Sequence, residues 1–216
     1  YYGGAYVLNF KAKPTALIKG NTDEKQIALT FNISWGDEKV YDILDVLKEK
    51  EIRATFFVSG EWAERHPQIL DEITEQKHEL GMLGYRYKNY LEQELTQVRK
   101  DIVYARNLFE KLGYPDLRYI RPPSGHIISL AKTLDLEVVH WSIASDDWKN
   151  PGIDMIVNEL NKGSNGDIVL LHASDAAKQT AAALKIIIEE FKKKNFSFVT
   201  ISQLKDGVTA DESIVD

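Results

Sequence analysis

Six short blocks hold the residues of this chain that are equipped for chemistry. They are Thr30-Phe31-Asn32-Ile33, Ser34-Trp35-Gly36-Asp37, Gly81-Met82-Leu83-Gly84-Tyr85-Arg86-Tyr87, Arg121-Pro122-Pro123-Ser124-Gly125, Ala144-Ser145-Asp146-Asp147-Trp148 and Leu170-Leu171-His172. A histidine such as His172 exchanges protons near neutral pH, and an arginine such as Arg121 orients a carboxylate. Trp148 offers a flat face on which a sugar can stack. Each of these residues also has a plain structural reading. Arg121 can be half of an ion pair, His172 a hydrogen-bonded core histidine and Trp148 simple packing. Asp37 reads most simply as a helix N-cap ahead of Val40.

The elements that carry these blocks decide whether they meet. Short β-rich runs at 26–32, 53–58, 79–83, 117–121, 137–141, 167–171 and 197–200 alternate with segments of helical period. Ile168-Val169-Leu170-Leu171 is a continuous apolar run, as expected of a strand buried on both faces. Val40, Ile43, Leu44 and Leu47 make one helical stripe. Leu91, Leu95, Val98, Ile102, Ala105, Phe109 and Leu112 make a longer one, ended by Gly113 and Pro115. Ala177, Leu184, Ile187, Ile188 and Phe191 make a third, expected to be capped near Ser174 or Asp175.

Strands alternating with helices imply a parallel sheet, and no dinucleotide fingerprint is present. The expected fold is therefore α/β, a deformed (β/α) barrel of about seven parallel strands. Asn32, Leu83, Arg121 and His172 each end a different strand, so the scattered blocks should converge on one face. The expected organisation is an N-terminal strand (residues 5–10) and loop over 1–25, one domain over 26–206 and a tail over 207–216.

Composition narrows the class. The 216 residues are 44% hydrophobic, enough for one domain with a substantial core. The net charge of −6, without a basic stripe, argues against nucleic acid; Lys192-Lys193-Lys194 reads as a solvated helix end. The absence of cysteine excludes disulfides and thiolate metal sites. No apolar run approaches the ~20 residues of a membrane span. The first residue is Tyr1 rather than Met, which reads as a processed or trimmed chain.

The blocks occur in an order that resembles the NodB-type polysaccharide deacetylases. The likeness is carried by Ile27-Ala28-Leu29-Thr30-Phe31, Ala54-Thr55-Phe56-Phe57, His78-Glu79-Leu80-Gly81, Arg121-Pro122-Pro123, Asp147-Trp148 and Leu170-Leu171-His172, and spans about residues 26–204. The 33–37 and 84–90 runs and the Leu171-His172-Ala173-Ser174-Asp175 ending resemble the sporulation-associated PdaB-type branch. The resemblance implies a glycan partner, a peptidoglycan or related amino-sugar polymer, and an extracytoplasmic place in the cell envelope or spore. It also implies a bound Zn²⁺ or similar metal that polarises the acetamide carbonyl and activates water.

This sequence departs from that pattern at the metal. The position of the catalytic base is Asn32, whose amide takes no proton near neutral pH. The metal-ligand positions read Ile33, Leu83 and Tyr87, so no metal cofactor is expected. Arg121 and His172 match the base-orienting arginine and the acid histidine; Asp147 and Trp148 match the end of the fourth motif. The first aspartate of that motif, which supports the acid histidine in the family, is Ala144 here, leaving Asp146 or Asp147 as substitutes. Trp148, Pro123 and Ser124 are the candidate glycan contacts. Asp37, His126 and His172 form the alternative metal-donor set, without support from spacing; His66, His78 and His140 read as structural or exposed. Three functions stand at this point. They are an envelope glycan deacetylase, a glycan-binding scaffold without deacetylase activity, and a metal-independent hydrolase using Asp147 with His172.

Overall fold

The computed structural model describes residues 15–122 and 127–204. The predicted strand at 5–10 and the candidate residues Pro123, Ser124 and His126 lie outside the described residues.

The order of elements is β1 (Gln26–Ile33), α1 (Lys39–Glu49), β2 (Thr55–Val58), α2 (Gly60–Arg65), α3 (Pro67–Glu75), β3 (Glu79–Met82), α4 (Leu95–Lys111), β4 (Tyr119–Ile120), α5 (Ile128–Thr133), β5 (Glu137–Val138), β6 (Ile143–Ala144), α6 (Ile153–Leu160), β7 (Ile168–His172), α7 (Thr180–Lys193) and β8 (Ser197–Phe198). All ladders are parallel, in the order β5-β4-β3-β2-β1-β7-β6, with β8 pairing the start of β1. The expected deformed (β/α) barrel is what forms.

The two edge strands are neighbours in sequence. β5 and β6 are separated by residues 139–142, and the ladders run on into that link: Val139 N–H donates to Ile120 O and Ser142 N–H to Ile168 O. One extended stretch thus pairs with β4 at its start and with β7 at its end, joining the two sheet edges into a curled barrel. Leu17 pairs with Val139 and Lys19 with Asp167 along the same seam. The predicted single strand at 137–141 is therefore shorter, and β6 is an addition. Trp141 and Ser142 interrupt the ladder where the stretch changes partner.

Strand alternation sorts the core into two layers. Ile27, Leu29, Phe31 and Ile33 of β1 join the helix-facing core with Val40, Ile43, Leu44 and Leu47 of α1 and Leu184, Ile187, Ile188 and Phe191 of α7. Ala28 faces inward with Phe57, Leu83, Tyr119, Val139 and Ile168. Fully burying each large aliphatic side chain contributes about 1.5–3 kcal/mol, so this two-sided burial of β1 dominates the fold's stability.

Three local expectations are corrected. The stripe through α4 holds from Val98 to Phe109, but Leu91 and Leu95 are exposed because the helix starts only at Leu95. The third helix begins at Thr180, beyond Ser174 and Asp175. Asp37 does not cap α1. The cap comes from Asp175, whose carboxylate accepts from Asp37 N–H at 3.2 Å, Glu38 N–H at 3.0 Å and Lys39 N–H at 2.9 Å. A carboxylate at a helix N-terminus satisfies orphan donors and complements the dipole wherever in sequence it originates. Gly36, at φ +92°, packs against Asp175 so closely that a Cβ there would collide with it.

His78 is buried at the start of β3, with Nδ1 accepting from Ala54 N–H at 3.0 Å. Burial, reinforced by the charge of Arg53, pushes its imidazole down to about 4 from 6.5. The unfolded chain therefore takes up this proton first. The stabilising contribution is complete above pH 6.5 and is lost as pH falls toward 4, by about 3 kcal/mol in total. Urea unfolding across that window should show the loss, and His78→Asn, which keeps an acceptor for Ala54 N–H, should remove most of it. An unchanged pH slope in the variant would place the acid sensitivity elsewhere.

Candidate functional site

β1 delivers Asn32 to the carboxyl end of the sheet, next to His172 of β7, with which it is in register. Register partners in adjacent strands point to the same face, one strand spacing (about 4.8 Å) apart. Alternation sends Asn32 inward and Ile33 outward, and Ile33 is buried in the helix-facing core. The two adjacent residues of this block thus lie on opposite sides of the sheet.

Arg121 follows β4 and crosses the barrel to Asn32. Its Nη1 donates to Asn32 Oδ1 at 2.8 Å, Nε to Val139 O at 3.2 Å and Nη2 to His140 O at 3.0 Å. The guanidinium lies 4.1 Å from the Phe57 ring centre and 5.5 Å from that of Trp141. It is 1% exposed. Among the described residues no carboxylate pairs with it, so the ion-pair reading of Arg121 does not hold. Burial pushes the guanidinium down to about 9, with the Tyr87 phenol acting in the opposite sense, and it remains charged at neutral pH. Phe57 reaches Arg121 because its ring lies against Gly81, where a Cβ would come within 2.5 Å of it.

Tyr87 reaches the same cluster from the loop after β3. That loop is tied to α4 by Asp101, which accepts from Tyr85 N–H at 3.1 Å, Arg86 N–H at 3.2 Å and the Tyr90 hydroxyl at 2.6 Å. The Tyr87 phenol lies beside Asn32 and Arg121, both of which act on its acidity. Asn32 Oδ1 is taken by Arg121, so what Asn32 can offer the phenol is an amide N–H. Burial raises the Tyr87 hydroxyl above its ordinary value, against the opposing pull of Arg121 and Asn32. The phenol is therefore neutral at physiological pH.

The opposite wall is organised by Asp147. This carboxylate is fully buried at the start of a 3-10 turn, Asp147–Lys149. Its Oδ1 accepts from His172 Nδ1 at 2.8 Å; its Oδ2 accepts from His172 N–H at 2.9 Å and the Thr180 hydroxyl at 2.7 Å. A carboxylate only accepts, so Nδ1 carries the proton and Nε2 is the ring atom left to the mouth. Asp147 supports His172, as one of the two expected substitutes for the aspartate replaced by Ala144. Asp146 instead turns outward at φ +55° and pairs with Lys149. Trp148 is 46% exposed, its ring centre 6.4 Å from that of His172. Trp35 and Trp141 are also exposed on loops of this face, whereas Trp62 is core.

Two contributors were invisible in sequence. Thr180 opens α7, distant in the chain from the block it serves, and Trp141 reads as part of a strand. The metal-ligand positions do not fit a metal. Leu83 is buried among apolar side chains, Ile33 faces the helices and Tyr87 is a neutral phenol beside Asn32. Asp37 is exposed on the α1 approach, and no group of three or more potential metal donors occurs among the described residues.

A parallel (β/α) barrel with polar residues gathered at the strands' carboxyl ends has its candidate site on that face. The polysaccharide deacetylase family profile matches residues 19–138. A peptidoglycan-N-acetylglucosamine deacetylase of Bacillus cereus is 34% identical over 210 residues, covering 92% of this chain and 97% of that protein. This chain belongs to the polysaccharide deacetylase family. Among solved structures, a family 4 carbohydrate esterase pseudoenzyme from Bacillus anthracis superposes with a TM-score of 0.83 at 26% identity, covering 90% of this chain and 70% of that one. A mutant of the same pseudoenzyme with restored enzymatic activity gives the same TM-score and identity. No helix among the described residues is long and apolar enough to cross a membrane.

Asp147 holds three donors at once, so removing it strands all of them in a buried site. Asp147→Ala should cost about 3 kcal/mol in denaturant unfolding. It should also release the His172 ring, visible as altered imidazole shifts by NMR. A cost near zero would mean that water replaces the carboxylate and that His172 is held by packing.

Proposed function

We propose that this chain is a glycan-binding member of its family that holds N-acetyl amino-sugar polymer of the cell envelope or spore without hydrolysing it by the family's metal route. Deacetylase activity is very weak or absent. The observation that carries this reading is the 2.8 Å bond from Arg121 to Asn32. The position that should collect a proton from water is an amide whose oxygen is occupied by a buried cation, so it offers no base. Leu83, Ile33 and the neutral Tyr87 supply no set of metal donors. The solved pseudoenzyme neighbour supports the reading, since its family membership is likewise separate from activity.

The retained half fits binding. Trp148 presents an exposed ring beside His172, whose Nε2 is the ring nitrogen not held by Asp147, and Trp141 presents one beside Arg121; aromatic faces and single hydrogen-bonding groups are what a sugar chain needs. The glycan is of peptidoglycan type, by likeness to relatives named for acting on it. A glycan of that type is met outside the cytoplasm, and the reading is accordingly one of envelope or spore maintenance.

Three measurements test this. Elemental analysis after incubation with Zn²⁺ and dialysis should find far less than stoichiometric metal; a retained stoichiometric ion with amine release from N-acetylated oligomers would return the chain to the deacetylases. Substituting Asn32→Asp, Leu83→His and Tyr87→His, with and without Ile33→Asp, should create zinc affinity if these positions converge. Calorimetric titration with N-acetylglucosamine oligomers should show saturable binding that Trp148→Ala weakens about tenfold, the equivalent of one lost aromatic contact. No binding by the wild-type chain would sink the glycan reading.

A further inference from the structure

Arg121 carries a charge that no carboxylate among the described residues balances. Its side chain is 1% exposed, and its three acceptors are an amide oxygen and two backbone carbonyls. No carboxylate is among the groups acting on it; Tyr87 is the ionisable neighbour that does. A guanidinium has five N–H donors, so two find no acceptor among the described residues. Buried charges are ordinarily paired, and the cost of leaving one unpaired is large. The aromatic faces of Phe57 and Trp141 soften that cost without neutralising the charge.

The groups between Arg121 and solvent are donors as well. Asn32 spends its oxygen on Arg121, which leaves only its amide N–H to offer, and the neutral Tyr87 phenol stands close enough to act on both. Tyr87, whose hydroxyl is a further donor, is 45% exposed and reaches the mouth. The buried Asp147 carboxylate is committed to His172 and Thr180 on the other wall. The Arg121 wall therefore presents one net positive charge, a run of donors and no negative partner.

We propose that this wall is a receptor for a carboxylate. The ligand group enters beside the Tyr87 hydroxyl, accepts its proton in a hydrogen bond and supplies the negative charge facing Arg121. With an amide at Asn32 and a phenol at Tyr87, the place suits an anion rather than a cation. The inference goes beyond glycan binding and stands on separate observations. A carboxylate is the occupant because Asn32 differs from an aspartate only in lacking that charge, so the gap in the local balance is one carboxylate.

The test is titration of the whole chain with sodium acetate, with sodium chloride at matched ionic strength and sodium phosphate as parallel arms. The readouts are thermal unfolding and the arginine Nε–H resonances by NMR. Acetate should stabilise the protein saturably beyond chloride, by mass action on the folded state, and shift one arginine resonance. Asn32→Asp supplies the charge internally and repels a second anion, so it should bind acetate at least about tenfold more weakly. Tyr87→Phe keeps the ring and removes the donor at the mouth, weakening acetate about fivefold. The proposal fails if acetate behaves as chloride does, if phosphate binds more tightly than acetate, or if either variant binds acetate as the wild type does.

Discussion

The parity of β1 is the constraint on which the rest depends. This strand pairs with β2 and β7 along its length and with β8 at its start, and seven of its eight residues are buried. Its alternate side chains cannot be exchanged between faces without a register slip that would turn Phe31 into the barrel and Asn32 into the helices. With Leu29, Phe31 and Ile33 committed to the helix layer, Asn32 must face inward, where Arg121 meets it. The chemistry of the mouth follows from which residue type stands at that one inward position.

Arg121 shows why an amide is tolerated there. Asparagine has nearly the shape of aspartate and keeps an oxygen for the guanidinium, so the packing around Phe57 and Val139 is undisturbed. What is lost is charge. A protein that buries an arginine against neutral acceptors accepts a standing desolvation cost. The cost is bearable because three hydrogen bonds and two aromatic faces surround the group, and because the pull on its acidity leaves it charged.

Much of this fold is legible in the sequence because the strands sit in a regular α/β alternation. The runs at 26–32 and 167–171 are long and apolar on both faces, and their boundaries shift by one residue in the structure. The predicted convergence of Asn32 and His172 holds as a register pair. What escapes the sequence is contact made across it. Asp175 caps α1 from beyond β7, and Thr180 completes Asp147 from α7. The split of one extended stretch into β5 and β6 depends on barrel closure, which no local pattern encodes. Leu91 and Leu95 continue the α4 stripe in period, yet the chain bends into a 3-10 turn at Tyr90–Glu92 and leaves them outside.

The two walls of the mouth are built by different parts of the chain. The Asp147–His172 wall is anchored through the 3-10 turn and Thr180 at the start of α7, whereas the Asn32–Arg121–Tyr87 wall is anchored by β4, the 139–140 carbonyls and the Asp101-tethered loop. Among the described residues no hydrogen bond joins one side-chain network to the other. Substitutions at Leu83 or Tyr87 therefore break no hydrogen bond that holds His172. This independence lets Asp147 and Thr180 hold His172 whichever polar side chain stands at position 32 of the other wall.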